Sequence, residues 1–252
     1  MRLLRLYAVF AYAFLHLPLL VLSVFSFNQS RFTQWEGFSL RWYAQAFADP
    51  ALREATVNSL LIGGASTALA TALGTLCAYA LWKKRSPRIT GALYLSLMTP
   101  EIVTGVALLA FYQWLFHLLN LQLGMFTVIL AHVSFCLAYV VIVVMARLRT
   151  MDATLEEAAL DLGANEWKAF YLITLPQLFP AMLSAALLAF TISFDDFVIT
   201  SLVAGVDSET LPMVMYATAR RGVSPLLNAV STIIVMGLGV LILVSERLQA
   251  KT

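Results

Sequence analysis

Six long apolar runs dominate the chain and set its solvent. They are approximately Tyr7–Phe27, Thr56–Leu81, Ile89–Leu118, Leu123–Ala146, Leu178–Ala204 and Leu226–Val244. A helix needs about 20 apolar residues to cross the hydrocarbon core of a bilayer. Each run meets that length, so the sequence predicts an all-α membrane protein of six spans. Composition agrees, with 61% of the 252 residues hydrophobic and 12% charged. A water-soluble domain carries about 25% charged residues, and half that charge cannot clothe a soluble globule. The first run follows Arg2 and Arg5 but is too long for a signal-peptide core. Phe25-Ser26-Phe27-Asn28 is no small-residue cleavage site, so the run reads as a retained span. Cys77 and Cys136 lie inside apolar runs as small packing residues and imply no disulfide framework.

Lysine and arginine placement gives the orientation. With a cytoplasmic N-terminus, the inner segments carry Arg2, Arg5, Lys83, Lys84, Arg85, Arg88, Arg147, Arg149, Lys168, Arg247 and Lys251. The outer segments carry only Arg31, Arg41, Arg53, Arg220 and Arg221. Both termini are therefore expected inside, and Lys83–Arg88 reads as a topology signal rather than a nucleic-acid patch. In span two Gly64, Ala68 and Ala72 recur every fourth residue, with Gly63, Thr67, Thr71 and Thr75 beside them. Such a pattern lets helix backbones approach closely in lipid.

Two connections are long. The outer loop, residues 28–55, holds Phe38-Ser39-Leu40-Arg41-Trp42-Tyr43, which suits an interfacial helix. The inner loop, residues 147–177, is patterned as two short helices with a break. Asp152 or Thr154 caps the first, and Glu156 and Glu157 sit in its favourable first turn. Leu155, Ala158, Ala159 and Leu162 share one face, and Gly163 ends the helix where a positive φ is needed. Asn165 starts the second helix, and Pro176 and Pro180 mark re-entry into the membrane.

Glu157-Ala158-Ala159, then Gly163, then Ile173-Thr174-Leu175-Pro176 closely resembles the EAA signature of bacterial ABC importer permeases. The resemblance implies a type I importer permease fold over a single domain, 1–252, in the bacterial inner membrane. It implies a coupling helix seated in a separate ATP-hydrolysing subunit, with Glu156, Glu157, Ala158, Ala159, Asp161 and Gly163 in the coupling segment. Two such ATP-binding cassette subunits, a second homologous permease and a periplasmic substrate-binding protein are the partners it implies. The chain has no Gly-x-x-x-x-Gly-Lys-Ser/Thr phosphate cradle, so it does not itself supply the ATPase.

Further stretches resemble spermidine/putrescine permeases, closest to the shorter permease subunit of that system. They include Phe25-Ser26-Phe27-Asn28, Phe38–Tyr43, Thr99-Pro100-Glu101-Ile102-Val103-Thr104-Gly105 and Ser193–Thr200. Thr210-Leu211-Pro212, Gly222-Val223-Ser224-Pro225 and Asn228-Ala229 extend the likeness nearly end to end. The outer loop Gly205–Glu209 departs from it, being less glycine-rich than expected.

The acids point the same way independently. Glu101, Asp195 and Asp196 are the only acids within the runs, and no Lys or Arg within them offsets their charge. A charge at the bilayer centre costs about 2.5–3.5 kcal/mol on insertion scales, so it faces a cavity or a partner. A polyamine is a fitting partner, which makes these three the candidate substrate path. On straight helices Glu101 lies about 18 Å into span three and Asp195 about 22 Å beyond Pro180. Pro100 and Gly105 bracket Glu101, as in a helix broken at a transport site. The alternative for Glu101 or Asp195 is a cap on a broken helix. Asp195 and Asp196 diverge by about 100° on a helix, and the alternative for one of the pair is an interface with the partner subunit. An importer for another solute, such as an opine-like amine, a metal ion or an anion, shares the same inner loop. Three acids without bases argue against an anion, and buried acids without purpose argue against a purely anchoring subunit. An intramembrane enzyme would need two carboxylates facing one site. His16, His117 and His132 lie on different spans without ligand spacing, so no catalytic, cofactor or metal site is assigned.

Overall fold

The structure is a computed structural model and describes residues 2–31, 34–119, 122–222 and 224–249. Of the residues named above, Lys251 and Val223 lie outside the described residues, as do the side chains of Arg2 and Arg247. The described chain is all-helical. Its helices are α1 Arg2–Phe25, α2 Arg41–Ala48, α3 Pro50–Lys83, α4 Pro87–Met98, α5 Glu101–Leu119 and α6 Met125–Leu148. There follow α7 Thr154–Asp161, α8 Glu166–Ala169, a π-helical turn Phe170–Thr174, α9 Leu175–Asp195, α10 Val198–Val203, α11 Leu211–Ala219 and α12 Pro225–Gln249.

Among the described residues five helices are long and apolar enough to span a membrane: Leu3–Phe25, Pro50–Lys83, Glu101–Leu118, Met125–Leu148 and Glu166–Asp195. The expected sixth span lies in α12, Pro225–Gln249, whose stretch Pro225–Val240 is apolar among the described residues. Two expected spans are not single helices. The run Ile89–Leu118 breaks at Thr99, which is extended (φ −73°, ψ 128°) because it precedes Pro100. The run Leu178–Ala204 breaks at Asp196, also extended (φ −66°, ψ 126°). At the inner end the helix of span five starts earlier than expected. It continues back through the π turn to Glu166. Pro176 has no N–H to give a preceding carbonyl, and the widened turn directly before it accommodates the ring.

The chain divides into two compact units. The first comprises residues 1–56 and 213–241. Its outer loop is organised by Asn28, whose side chain donates to the Gln34 carbonyl (2.7 Å) and accepts from Glu36 N (3.0 Å). The Asn28 carbonyl accepts from the buried Trp42 indole at 2.7 Å. Phe27 stacks against Phe38 and Tyr43, with ring centroids 5.3 and 5.1 Å apart. The resemblance motif Phe25–Asn28 is thus the hinge on which the loop folds back towards α2.

The second unit comprises residues 57–212 and 242–252. Its core lies between α3, α6 and α9, where Ala70, Ala78 and Leu81 meet Cys136, Val140, Val144 and Leu148, with Leu178, Ala185 and Ala189. A second cluster joins Ile62 of α3, Tyr112 and Phe116 of α5, Val128 and Ala131 of α6, and Ile199 and Val203 of α10. Of the small residues named in α3, Gly63 and Thr75 are buried within the unit. Gly64, Ala68 and Ala72 are exposed, while Ser66, Ala70, Gly74 and Ala78 are buried. A Cβ at Gly74 would stand 2.6 Å from Val140 Cγ1, so the absence of a side chain there sets how near α3 comes to α6. Cys77 and Cys136 are free thiols.

Candidate functional site

Two features of the second unit are built for work: a cavity at the two helix breaks, and the inner loop. At the first break Thr99 Oγ1 donates to Leu95 O (2.7 Å), and the Pro100 carbonyl accepts from Val103 N and Thr104 N, starting α5. Glu101 therefore stands at the positive end of α5, which favours its negative charge. At the second break α9 ends at Asp195, and the side chain of Asp196 caps α10. Asp196 Oδ2 accepts from Thr200 N (2.8 Å) and Thr200 Oγ1 (2.7 Å). His132 of α6 stands behind this cap, fully buried, with Nδ1 2.6 Å from Ser193 Oγ and Nε2 2.9 Å from Thr200 Oγ1.

Both breaks open onto one cavity of about 670 Å³. Glu101, Thr104, Phe135, Tyr139, Asp195 and Asp196 line it, and none of its lining residues is basic. All three predicted path acids are thus brought to one place, but in two roles. Glu101 and Asp195 are exposed and, among the described residues, engaged by no hydrogen bond or ion pair. Asp196 has a side chain 6% exposed and committed to α10 and His132. The cap reading open from sequence concerned Glu101 or Asp195, and it is Asp196 whose side chain makes the cap. His132 was not singled out as a site residue by sequence reasoning. Its signal was an ionisable side chain inside an apolar run, which in a membrane calls for a partner.

The inner loop forms a knob in which Ala153, not the expected Asp152 or Thr154, takes the N-cap position of α7 and no side chain caps that end. Asp152 accepts from Thr154 N (3.0 Å) and Thr154 Oγ1 (2.8 Å), fixing the turn that enters α7. These bonds hold its carboxyl below the usual range. At the other end Gly163 N donates to Leu160 O and Ala164 N to Ala159 O, a Schellman closure with Gly163 at φ +87°. Asn165 Oδ1 then accepts from Lys168 N at 2.8 Å and starts α8. Glu157, Ala158, Asp161 and Gly163 are exposed, Ala159 is half-buried, and Leu162 is 90% exposed. The apolar face of α7 therefore turns away from its own unit. Glu156 does the opposite: its carboxylate is buried against Tyr79, Lys83 and Thr174. Burial pushes its carboxyl up, but hydrogen bonds from Lys83, Tyr79 and Thr174 and the Lys83 charge outweigh that and hold it low.

Spanning helices broken around an acid-lined cavity, and carrying an outward-facing knob on the connection into one of those helices, make a transport permease. The chain belongs to the family of binding-protein-dependent transport system inner membrane components, whose model matches residues 59–251. It is 41% identical over 249 residues to the putrescine transport system permease protein PotI of Escherichia coli strain K12, covering 95% of this chain and 88% of that one. It is 39% identical over 244 residues to the spermidine/putrescine transport system permease protein PotC of Haemophilus influenzae, covering 95% and 93%. In fold it is similar to a chain of a bacterial ABC transporter that imports the acidic polysaccharide alginate, with a TM-score of 0.77 at 14% identity over 99% of this chain and 94% of that one. A second alginate transporter structure, in complex with a pentasaccharide-bound periplasmic protein, gives 0.78 at 16% identity over 99% and 93%.

Proposed function

We propose that this permease, paired with a second homologous permease, forms the path by which putrescine and spermidine delivered by a periplasmic binding protein cross the inner membrane. The observation that carries the substrate class is the cavity: two unengaged carboxylates, Glu101 and Asp195, with no base among its lining residues. A polyamine brings the missing positive charge, and the rings of Phe135 and Tyr139 offer faces that attract alkylammonium groups. The names of the relatives point to the same class. An alginate-like polyanion fits the fold but not this charge.

The energy comes from two ATP-binding cassette subunits. The α7 knob, with Glu157, Ala158, Ala159, Asp161 and Gly163, seats in them on the cytoplasmic side, and both termini lie on that side. ATP-driven closure displaces the knob, and the cavity opens outward and then inward. The test is reconstitution of the chain with its second permease, ATPases and binding protein in proteoliposomes. ATP-dependent uptake of labelled putrescine or spermidine is expected. Uptake of neither, with uptake of another solute, overturns the substrate class.

A further inference from the structure

Glu156 is a buried acid on a helix that otherwise faces outward. Its carboxylate accepts from Tyr79 Oη at 2.6 Å and Thr174 Oγ1 at 2.9 Å, and pairs with Lys83 Nζ. One side chain thus fastens three elements: α7, the inner end of α3, and the π turn that leads into α9. The carboxylate serves neither end of its own helix: Asp152 fixes the entering turn and the Gly163 closure ends it. Desolvating a charge is unfavourable, and an apolar side chain in the same space often packs as well or better. A fully partnered buried charge instead fixes a register between elements.

The place of the fastening matters. From α7 the chain reaches α9 through the Gly163 turn, the short α8 and the π turn, a widened helical segment. Without a second attachment, tilting α7 would be absorbed in that connection. The Glu156 carboxylate bridges it, since Thr174 is the last residue of the π turn. Tyr79 adds a ring contact to Phe170 at 4.6 Å between centroids. Beyond the bridge α9 runs unbroken to Asp195 in the cavity wall and packs along α3 and α6 through Leu178, Ala185 and Ala189.

We propose that Glu156 is a positioning residue of the transport cycle: it locks the knob helix to α3 and α9 so that displacement of the knob moves the cavity wall as one body. This rests on the coupling reading of the knob given above. The assembled transporter tests it without assuming a substrate. A single cysteine at Thr191, in the cavity wall on α9, is placed in a chain whose Cys77 and Cys136 are alanine. Its labelling rate is read with and without ATP, beside ATP hydrolysis. The parent should show a nucleotide-dependent rate. Glu156→Gln should still assemble and hydrolyse ATP, while the nucleotide effect on labelling falls about tenfold, within the range of ordinary coupling strengths. Lys83→Arg, which keeps the ion pair, should retain the effect, and Lys83→Met should lose it. A wild-type nucleotide effect in assembled Glu156→Gln overturns the proposal. Should that variant not assemble, Tyr79→Phe and Thr174→Val each remove one donor. A weakened effect in them supports the clamp, and a wild-type effect in both overturns it. Gly163→Asp separates the two ideas. If it too responds like the parent, or the parent shows no response, the coupling reading fails and the clamp with it. If Gly163→Asp is uncoupled while Glu156→Gln is not, the clamp alone fails.

Discussion

Asp196 Oδ2 lies 3.4 Å from His132 Nε2, joining the break in one spanning helix to the middle of another. The same oxygen accepts from Thr200 N and Thr200 Oγ1, so the pair is part of one buried polar network rather than a free charge in the path. Its neighbour Asp195 carries no such bonds and is exposed in the cavity. Adjacent residues thus differ: Asp196 holds the break, and Asp195 is open to the cavity.

Stability should separate them. Asp196→Ala removes a helix cap worth about 1 kcal/mol and strands buried donors at about 1–3 kcal/mol. A loss of about 2–4 kcal/mol is expected, read as a lowered unfolding temperature in detergent. Asp195→Ala removes nothing but an exposed side chain and should stay within about 0.5 kcal/mol. Equal destabilisation by the two would contradict that difference.

Gly163 offers a purely conformational test. A Cβ there would meet nothing within 4 Å, but its φ of +87° disfavours any L side chain. Gly163→Ala should cost about 1–2 kcal/mol in the turn alone, without a clash. Gly163→Asp should weaken co-purification with the ATPase or ATP-driven uptake, with insertion into the membrane unchanged. Normal co-purification together with normal uptake would remove the knob from the interface.

The Glu156 network has a pH signature. Its carboxyl is held low in the fold, so its contribution is fully present above the unfolded value of about 4.3 and is lost as pH falls through the lower folded value. The unfolding-temperature gap between wild type and Glu156→Gln should be constant near neutrality and shrink below about pH 4. A gap that widens on acidification would reverse the assignment of sign.

Topology has a direct readout. Lys and Arg concentrate in the segments assigned to the inside, which predicts Ser39 outside and Asn165 inside. Single cysteines at these positions should react with an impermeant reagent from opposite faces of the membrane. Reaction of both from one face would defeat the orientation.

How much of this was legible in the sequence follows from the range of the signals. Gly163, Asn165 and Asp152 act on backbone within a few residues, so local chemistry alone announced the knob's turns. Pro100 forced the break before Glu101 in the same way. Choosing a face of α3 needed its neighbours. Small residues fill two adjacent stripes of that helix, and only Val140 of α6 selects the one containing Gly74. The pairing of His132 with Asp196, and of Glu156 with Lys83, joins positions 64 and 73 residues apart. No periodicity reaches that far, so neither the lone histidine nor the first of two glutamates said which residue its partner is.

The path acids give the sharpest test of function. Glu101 stands at the start of α5, and Asp195 at the end of α9, on the two sides of one cavity with no basic lining residue. Glu101→Gln and Asp195→Asn keep shape and remove charge, so a loss reports electrostatics rather than packing. Each should cut putrescine and spermidine uptake about tenfold or more, since one charge-assisted contact is worth about 1.5–3 kcal/mol. Assembly and ATP binding should persist, because neither carboxylate holds another described residue. The double variant should lose more than either single one for spermidine, which presents charge at more points along its length. Asp196→Asn should instead lower stability before it lowers uptake in the assembled complex, because its carboxylate already serves Thr200 and His132. If Glu101→Gln and Asp195→Asn both import putrescine and spermidine at wild-type rates in proteoliposomes, the cavity acids are structural. The polyamine assignment would then rest on likeness to relatives alone.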